Sequence, residues 1–121
     1  MAGGGGLLRL PERIPYAIAM ELALTGEQLS AERAHALWLV NVLAEPGGAL
    51  DAAIALAERI TANGPLAVAA TKRIITEARG WSPEEQWKQQ AKILMPVFTS
   101  KDAREGAVAF AEKRPPNWTG S

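Results

Sequence analysis

The sequence predicts an all-α chain of about five to six helices with at most one short strand. Three observations lead there. Alanine is abundant and β-branched residues are scattered, which favours helix. Apolar residues recur at three- and four-residue steps in several windows. Start and stop residues such as Ser30, Ser100, Gly26 and Pro65 bound those windows.

Composition narrows the function classes. A length of 121 residues is most naturally one domain. The 13 basic and 13 acidic side chains cancel, leaving no charge excess to draw a nucleic acid or a membrane surface. The absence of cysteine excludes disulfides and thiolate metal sites and suits a cytoplasmic protein. No apolar run approaches the ~20 residues that span a bilayer. The glycine-rich start lacks the charged-then-apolar pattern of a secretory signal.

Met1 to Arg9 reads as a loop, and residues 1–14 as a glycine-rich lead-in. Gly3 to Gly6 is either a flexible tail or a functional glycine loop. A dinucleotide fingerprint is excluded, because no strand precedes it and the third glycine of that motif is missing. Pro15 to Leu24 is a short helix with proline in its first turn, stopped by Thr25-Gly26. Ser30 caps a second helix from Ala31 to about Leu37. The lone His35 there has no nucleophile or metal ligand beside it in sequence and reads as a surface residue. Leu39 to Leu43 is the one candidate strand, before a Glu45-Pro46-Gly47-Gly48 turn.

Leu50 to Ala62 is the clearest amphipathic helix, with Leu50, Ala53, Ile54, Ala57 and Ile60 on one face. Asn63-Gly64-Pro65 ends it, Gly64 being suited to a left-handed cap. A helix from Pro65 to about Arg79 follows. Its Lys72-Arg73 pair reads as a solvated face in preference to a phosphate site. Ser82-Pro83-Glu84-Glu85 reads as a capping box opening a fifth helix, which Pro96 should bend or end near Met95.

The last helix, within residues 100–114, carries the most specific pattern. Ser100 suits the cap, Asp102 complements the positive end of the dipole, and Lys113 and Arg114 sit in the last turn before Pro115-Pro116. Ala103, Ala107, Phe110 and Ala111 share one face, suited to close approach by another surface, and Lys113 projects beside Phe110.

The order S-x-D-x-x-E-G-x-x-A-F-x-E-K-R-x-P-x-W resembles the C-terminal signature of the enoyl-CoA hydratase/isomerase (crotonase) superfamily. Gly3 to Pro11 is similar to that family's glycine loop ending in Arg-Leu, Ala19 to Gly26 to its A-x-E-L-x-L-T-G helix, and Leu39-Val40-Asn41 to its L-V-N segment. Four motifs in register, from about Gly3 to Trp118, make the resemblance specific.

The resemblance implies the C-terminal helical and oligomerisation region of the crotonase fold, without the ββα spiral core. The family's catalytic glutamates and oxyanion-hole amides precede the glycine loop, so no catalytic residue is assigned here. It implies acyl-CoA as ligand in a homo-oligomer (trimer or hexamer), hydration of 2-enoyl-CoA in fatty-acid metabolism, and no cofactor beyond the CoA of the substrate. By motif match, Phe110 and Lys113 are the CoA-binding candidates; the alternative leaves Phe110 in the core and Lys113 merely complementing the helix end. A non-catalytic acyl-CoA-binding homologue and a free-standing helical interaction module are the competing readings. Trp38 departs from the pattern, because the family places glycine there to end a helix in the left-handed region. The expectation is that this helix ends differently, with negative φ at Trp38 and its indole packed on a neighbour.

Overall fold

The computed structural model describes residues 3–121, and Met1 and Ala2 of the expected lead-in lie outside them. The architecture is all-α, with seven α-helices and two 3-10 turns among the described residues. They are α1 (Gly6–Arg9), a 3-10 turn (Leu10–Glu12), α2 (Tyr16–Thr25), α3 (Ala31–Ala36), α4 (Ala49–Thr61), α5 (Pro65–Glu77), a second 3-10 turn (Ala78–Gly80), α6 (Gln86–Phe98) and α7 (Lys101–Glu112). The chain divides into two compact units, residues 1–53 and 54–121, with the boundary inside α4.

The first unit corrects several expectations. The lead-in is not all loop: Gly4 and Gly5 adopt φ of 62° and 83°, which only glycine takes cheaply, and this reversal launches α1 and the turn that follows. Pro15 precedes α2 as its cap residue and is not part of its first turn; Gly26 at φ 71° closes that helix as expected. Ile14 and Ala19 are buried where α2 meets the 3-10 turn. Leu39 to Asn41 is a bend and Val42-Leu43 has no regular structure, so no strand occurs among the described residues.

Trp38 overturns the expectation for α3. The helix ends as the family's glycine would end it, with Trp38 at φ 59°. The Trp38 amide donates to the His35 carbonyl (2.9 Å) and the Leu39 amide to the Ala34 carbonyl (2.9 Å), the pair of bonds that requires a left-handed residue between. Satisfying two carbonyls outweighs a strain of about 1–2 kcal/mol. The indole is not packed away; it is 81% exposed, with the His35 ring 6.5 Å from it.

In the second unit α5 packs on α6, and α6 on α7. Gly64 is not left-handed (φ −56°); Asn63 closes α4 instead, its side-chain amide donating to the Arg59 and Ile60 carbonyls at 2.8 and 3.3 Å. Ser82 does not form a capping box. Its hydroxyl donates to the Glu85 carboxylate (3.2 Å), the Glu85 and Gln86 amides donate to its carbonyl, and α6 starts only at Gln86. Pro96 does not stop α6, which continues to Phe98. A proline this close to the end forfeits little more than one ladder bond, and the Thr99 hydroxyl donates to the Met95 and Pro96 carbonyls.

Candidate functional site

The site begins with what holds α7. Ser100 caps it as expected, accepting from the Ala103 amide at 3.0 Å while its hydroxyl donates to the Val97 carbonyl at the end of α6 (2.6 Å). The covered face runs through Asp102, Glu105, Gly106 and Ala109, with Asp102 and Ala109 buried. Of the face singled out from the sequence, Ala107, Phe110 and Ala111 are exposed and Ala103 is half-buried.

The C-terminal tail, residues 115–121, lies along the covered face. One Asp102 carboxylate oxygen accepts from the Thr119 amide (2.7 Å) and hydroxyl (2.8 Å), and the other from the Gly120 amide (2.8 Å). The Asp102 amide donates back to the Ser121 carbonyl. Trp118 lies against Gly106 and Gly64, where added β-carbons would stand 3.1 and 3.5 Å from its ring, and its indole N–H donates to the Ala62 carbonyl (2.9 Å). Asp102 thus does more than complement the dipole: it anchors the tail. The Thr119 amide, foremost among these donors, holds its pKa below the usual value.

Glu105 and Arg114 complete the attachment. The guanidinium grips both Glu105 oxygens (2.7 and 3.1 Å) and reaches Glu112 through Nε (2.6 Å), while the Asn117 amide donates to Glu105 (2.8 Å). Hydrogen bonding from Arg114, then from the Asn117 amide, depresses the Glu105 pKa to about 2. The same contacts, Glu105 before Glu112, raise that of Arg114.

Phe110 and Lys113, the two binding candidates, both stand at the free end of this helix. Phe110 is 88% exposed, so it is not a core residue. Lys113 is not in the last turn: it follows the helix in the left-handed region (φ 54°, ψ 40°), which takes it off the helical register that would set it beside Phe110. The Lys113 amide donates to the Phe110 carbonyl (3.3 Å) and the Arg114 amide to the Ala109 carbonyl (3.0 Å). An exposed apolar ring on the last turn and an exposed ammonium on the residue that closes it suit a ligand with a flat or apolar part and an anionic part.

Elsewhere the chemistry is sparse. A cavity of about 350 Å³ in the first unit is walled by Leu7, Leu10, Pro11, Met20, Ala23 and Leu24; it offers hydrocarbon and nothing for a phosphate. Among the described residues no group of three His, Asp or Glu could hold a metal, and no helix is long and apolar enough to cross a membrane. Lys72 and Arg73 lie on an exposed face, Arg73 pairing with Glu77 at 2.8 Å. The sequence reading missed Asp102, Glu105 and Trp118 as a connected set. Their signal was present in D-x-x-E-G and P-x-W, but neither motif says that the two meet.

Comparison with known proteins fits this geometry. The family model described as enoyl-CoA hydratase/isomerase matches residues 1–121. Enoyl-CoA hydratase EchA19 of Mycobacterium tuberculosis is 44% identical over 115 residues, 95% of this chain and 43% of its own. A carnitinyl-CoA dehydratase of Salmonella arizonae is 41% identical over 120 residues, 96% and 46% of the two chains. The crystal structure of enoyl-CoA hydratase EchA1 from Mycobacterium marinum superposes with a TM-score of 0.96 at 82% identity, covering 100% of this chain and 48% of that one. That of an enoyl-CoA hydratase from M. tuberculosis H37Rv gives 0.95 at 80% identity, covering 98% and 47%. The chain therefore spans about half the length of the relatives it matches, and its helices are the C-terminal helical region of the crotonase fold.

Proposed function

This chain belongs to the enoyl-CoA hydratase/isomerase family, and from that premise we propose that it supplies the assembly surface and part of the coenzyme A site of an enzyme acting on acyl-CoA thioesters. The reaction is hydration of a 2-enoyl-CoA, in the cytoplasm, by a homo-oligomer. The groups that polarise the thioester carbonyl and move the proton and water belong to the part of the family fold that these 121 residues do not span. This chain's own contribution is to bind and orient. Lys113 meets a phosphate oxygen of CoA with a charge-assisted bond, and Phe110 walls the pocket with its ring.

The observation that supports the reading is the placement of Phe110 and Lys113. Leaving Phe110 88% exposed, three residues before a lysine held in a strained backbone, costs stability and is explained by a ligand or a neighbouring subunit that uses both. Titration of CoA by calorimetry tests it. Lys113→Glu should weaken binding about tenfold or more, as expected for reversing one partner of a charge-assisted bond. Equal affinity removes Lys113 from the site. The purified chain alone should not turn over crotonyl-CoA; turnover would place the catalytic groups within it.

A further inference from the structure

We propose that Glu105 is a positioning residue for Lys113: through its two-bond grip on Arg114 it holds the lysine in the left-handed turn that aims its ammonium at the ligand. The inference rests on the reading of Lys113 as a CoA contact, and its test separates the two. A lysine after a helix end is free to continue the helix, fray or reverse. Here it reverses, and both neighbours are fixed. On one side the Lys113 amide is bonded to the Phe110 carbonyl. On the other, Arg114 is tied at its amide to the Ala109 carbonyl and at its guanidinium to Glu105, nine residues earlier on the covered face of α7. Glu105 also accepts from the Asn117 amide, so the chain leaving Lys113 is held at residues 114 and 117 by one carboxylate. The geometry needs a fork: two guanidinium nitrogens on two carboxylate oxygens fix direction as well as distance, which a lysine at 114 would not do.

Charge and geometry make opposite demands on Glu105, and that makes its role measurable. A carboxylate near an anion site repels the ligand, so if Glu105 acted only by its charge, Glu105→Gln would bind CoA more tightly. If it acts by holding Arg114, the same variant binds CoA less tightly.

The experiment titrates CoA into the full chain, ¹⁵N-labelled, as wild type, Glu105→Gln, Arg114→Lys, Lys113→Ala and the Glu105→Gln/Lys113→Ala double variant, with circular dichroism checking that helix content is kept. Backbone shifts and the HN–Hα coupling at residue 113 report its φ directly. The expected result is that Glu105→Gln and Arg114→Lys each lose the left-handed signature at Lys113 and weaken CoA binding about three- to tenfold, and that the double variant binds no worse than Lys113→Ala. A retained left-handed signature in both variants, unchanged or tighter CoA binding in Glu105→Gln, or additive losses would each overturn the proposal. Should Glu105→Gln fail to fold, Arg114→Lys, which keeps the surface charge, decides the matter by the same criteria. Unchanged affinity in Lys113→Ala would instead refute the reading of Lys113 as a CoA contact. The positioning claim would then fail as a statement about ligand even if residue 113 moved.

Discussion

Among the described residues two non-glycines, Trp38 and Lys113, occupy the left-handed region, and both do so to close a helix. The cost was legible through the family resemblance, which places a glycine where this chain has Trp38. The outcome was not, because local strain had to be weighed against two hydrogen bonds visible only in three dimensions. If strain of about 1 kcal/mol remains at Trp38, Trp38→Gly should stabilise the chain by about that amount, read as a raised urea midpoint at unchanged slope. The 81% exposed indole gives up little packing in exchange. A lowered midpoint would mean that the indole contributes contacts that outweigh the strain. Acid sensitivity is set at the same scale by Asp102 and Glu105. Both carboxyls titrate lower when folded than when unfolded, so the unfolded chain takes up protons first as pH falls. Their stabilisation is complete above the usual carboxylate range, roughly pH 4 to 4.5, and is lost as pH falls towards about 2, the folded value of Glu105. Glu105→Gln should flatten that acid limb in unfolding measured from pH 6 down to 2; an unchanged limb would show that the fork with Arg114 does not contribute to stability.

Among the elements, α7 with its tail shows where pattern reading stops. The cap at Ser100 and the stop near Pro115 were readable because they depend on residues close in sequence. The inward face was not readable, because the rule that apolar residues face in fails here. A buried aspartate, a half-buried glutamate and a glycine face the tail, while Phe110 faces out. Nothing local in residues 101–112 announces that the chain returns. Gly106 tests this arrangement. In a free helix interior, glycine to alanine gains about 1 kcal/mol. At position 106 the new methyl would lie 3.1 Å from the Trp118 ring, which Gly64 also lines and the Ala62 carbonyl tethers. Gly106→Ala should therefore fail to stabilise, and amide exchange at Thr119 and Gly120 should accelerate as the tail loosens. A gain near 1 kcal/mol would show the tail yielding freely. Pro96 in α6 gives the opposite expectation. It is exposed and interrupts the ladder near the end of a helix that forms regardless, so Pro96→Ala should stabilise by about 1 kcal/mol, read as a raised urea midpoint; an unchanged midpoint would show that the missing ladder bond costs nothing there.

For the whole molecule, surface area decides what the chain needs. A folded protein of 12.9 kDa exposes roughly 6,300 Å², and two separate bodies the size of its two units about 7,600 Å² together. The observed 9639 Å² exceeds either figure, by at least roughly 2,000 Å². Among the described residues no large side chain is fully buried, and the buried apolar residues are Ile14 and four alanines. The helix with the clearest amphipathic sequence, α4, buries no residue: Leu50 is 70% exposed and Ile54 48%. The sequence showed the apolar stripe but could not show that nothing within these residues covers it. A standard interface takes about 800 Å² from each partner, so the excess is ample for more than one contact. The chain on its own should therefore self-associate at micromolar concentration, and sedimentation velocity should show a weight-average mass rising with concentration. Ile54→Glu sets a charge within the α4 stripe, where burial against a second copy would cost several kcal/mol, so it should shift the distribution towards monomer without lowering helix content. A monodisperse 12.9 kDa species at every concentration, with or without that substitution, would mean that these faces stay in water at equilibrium, and the assembly role proposed for this half of the fold would fall.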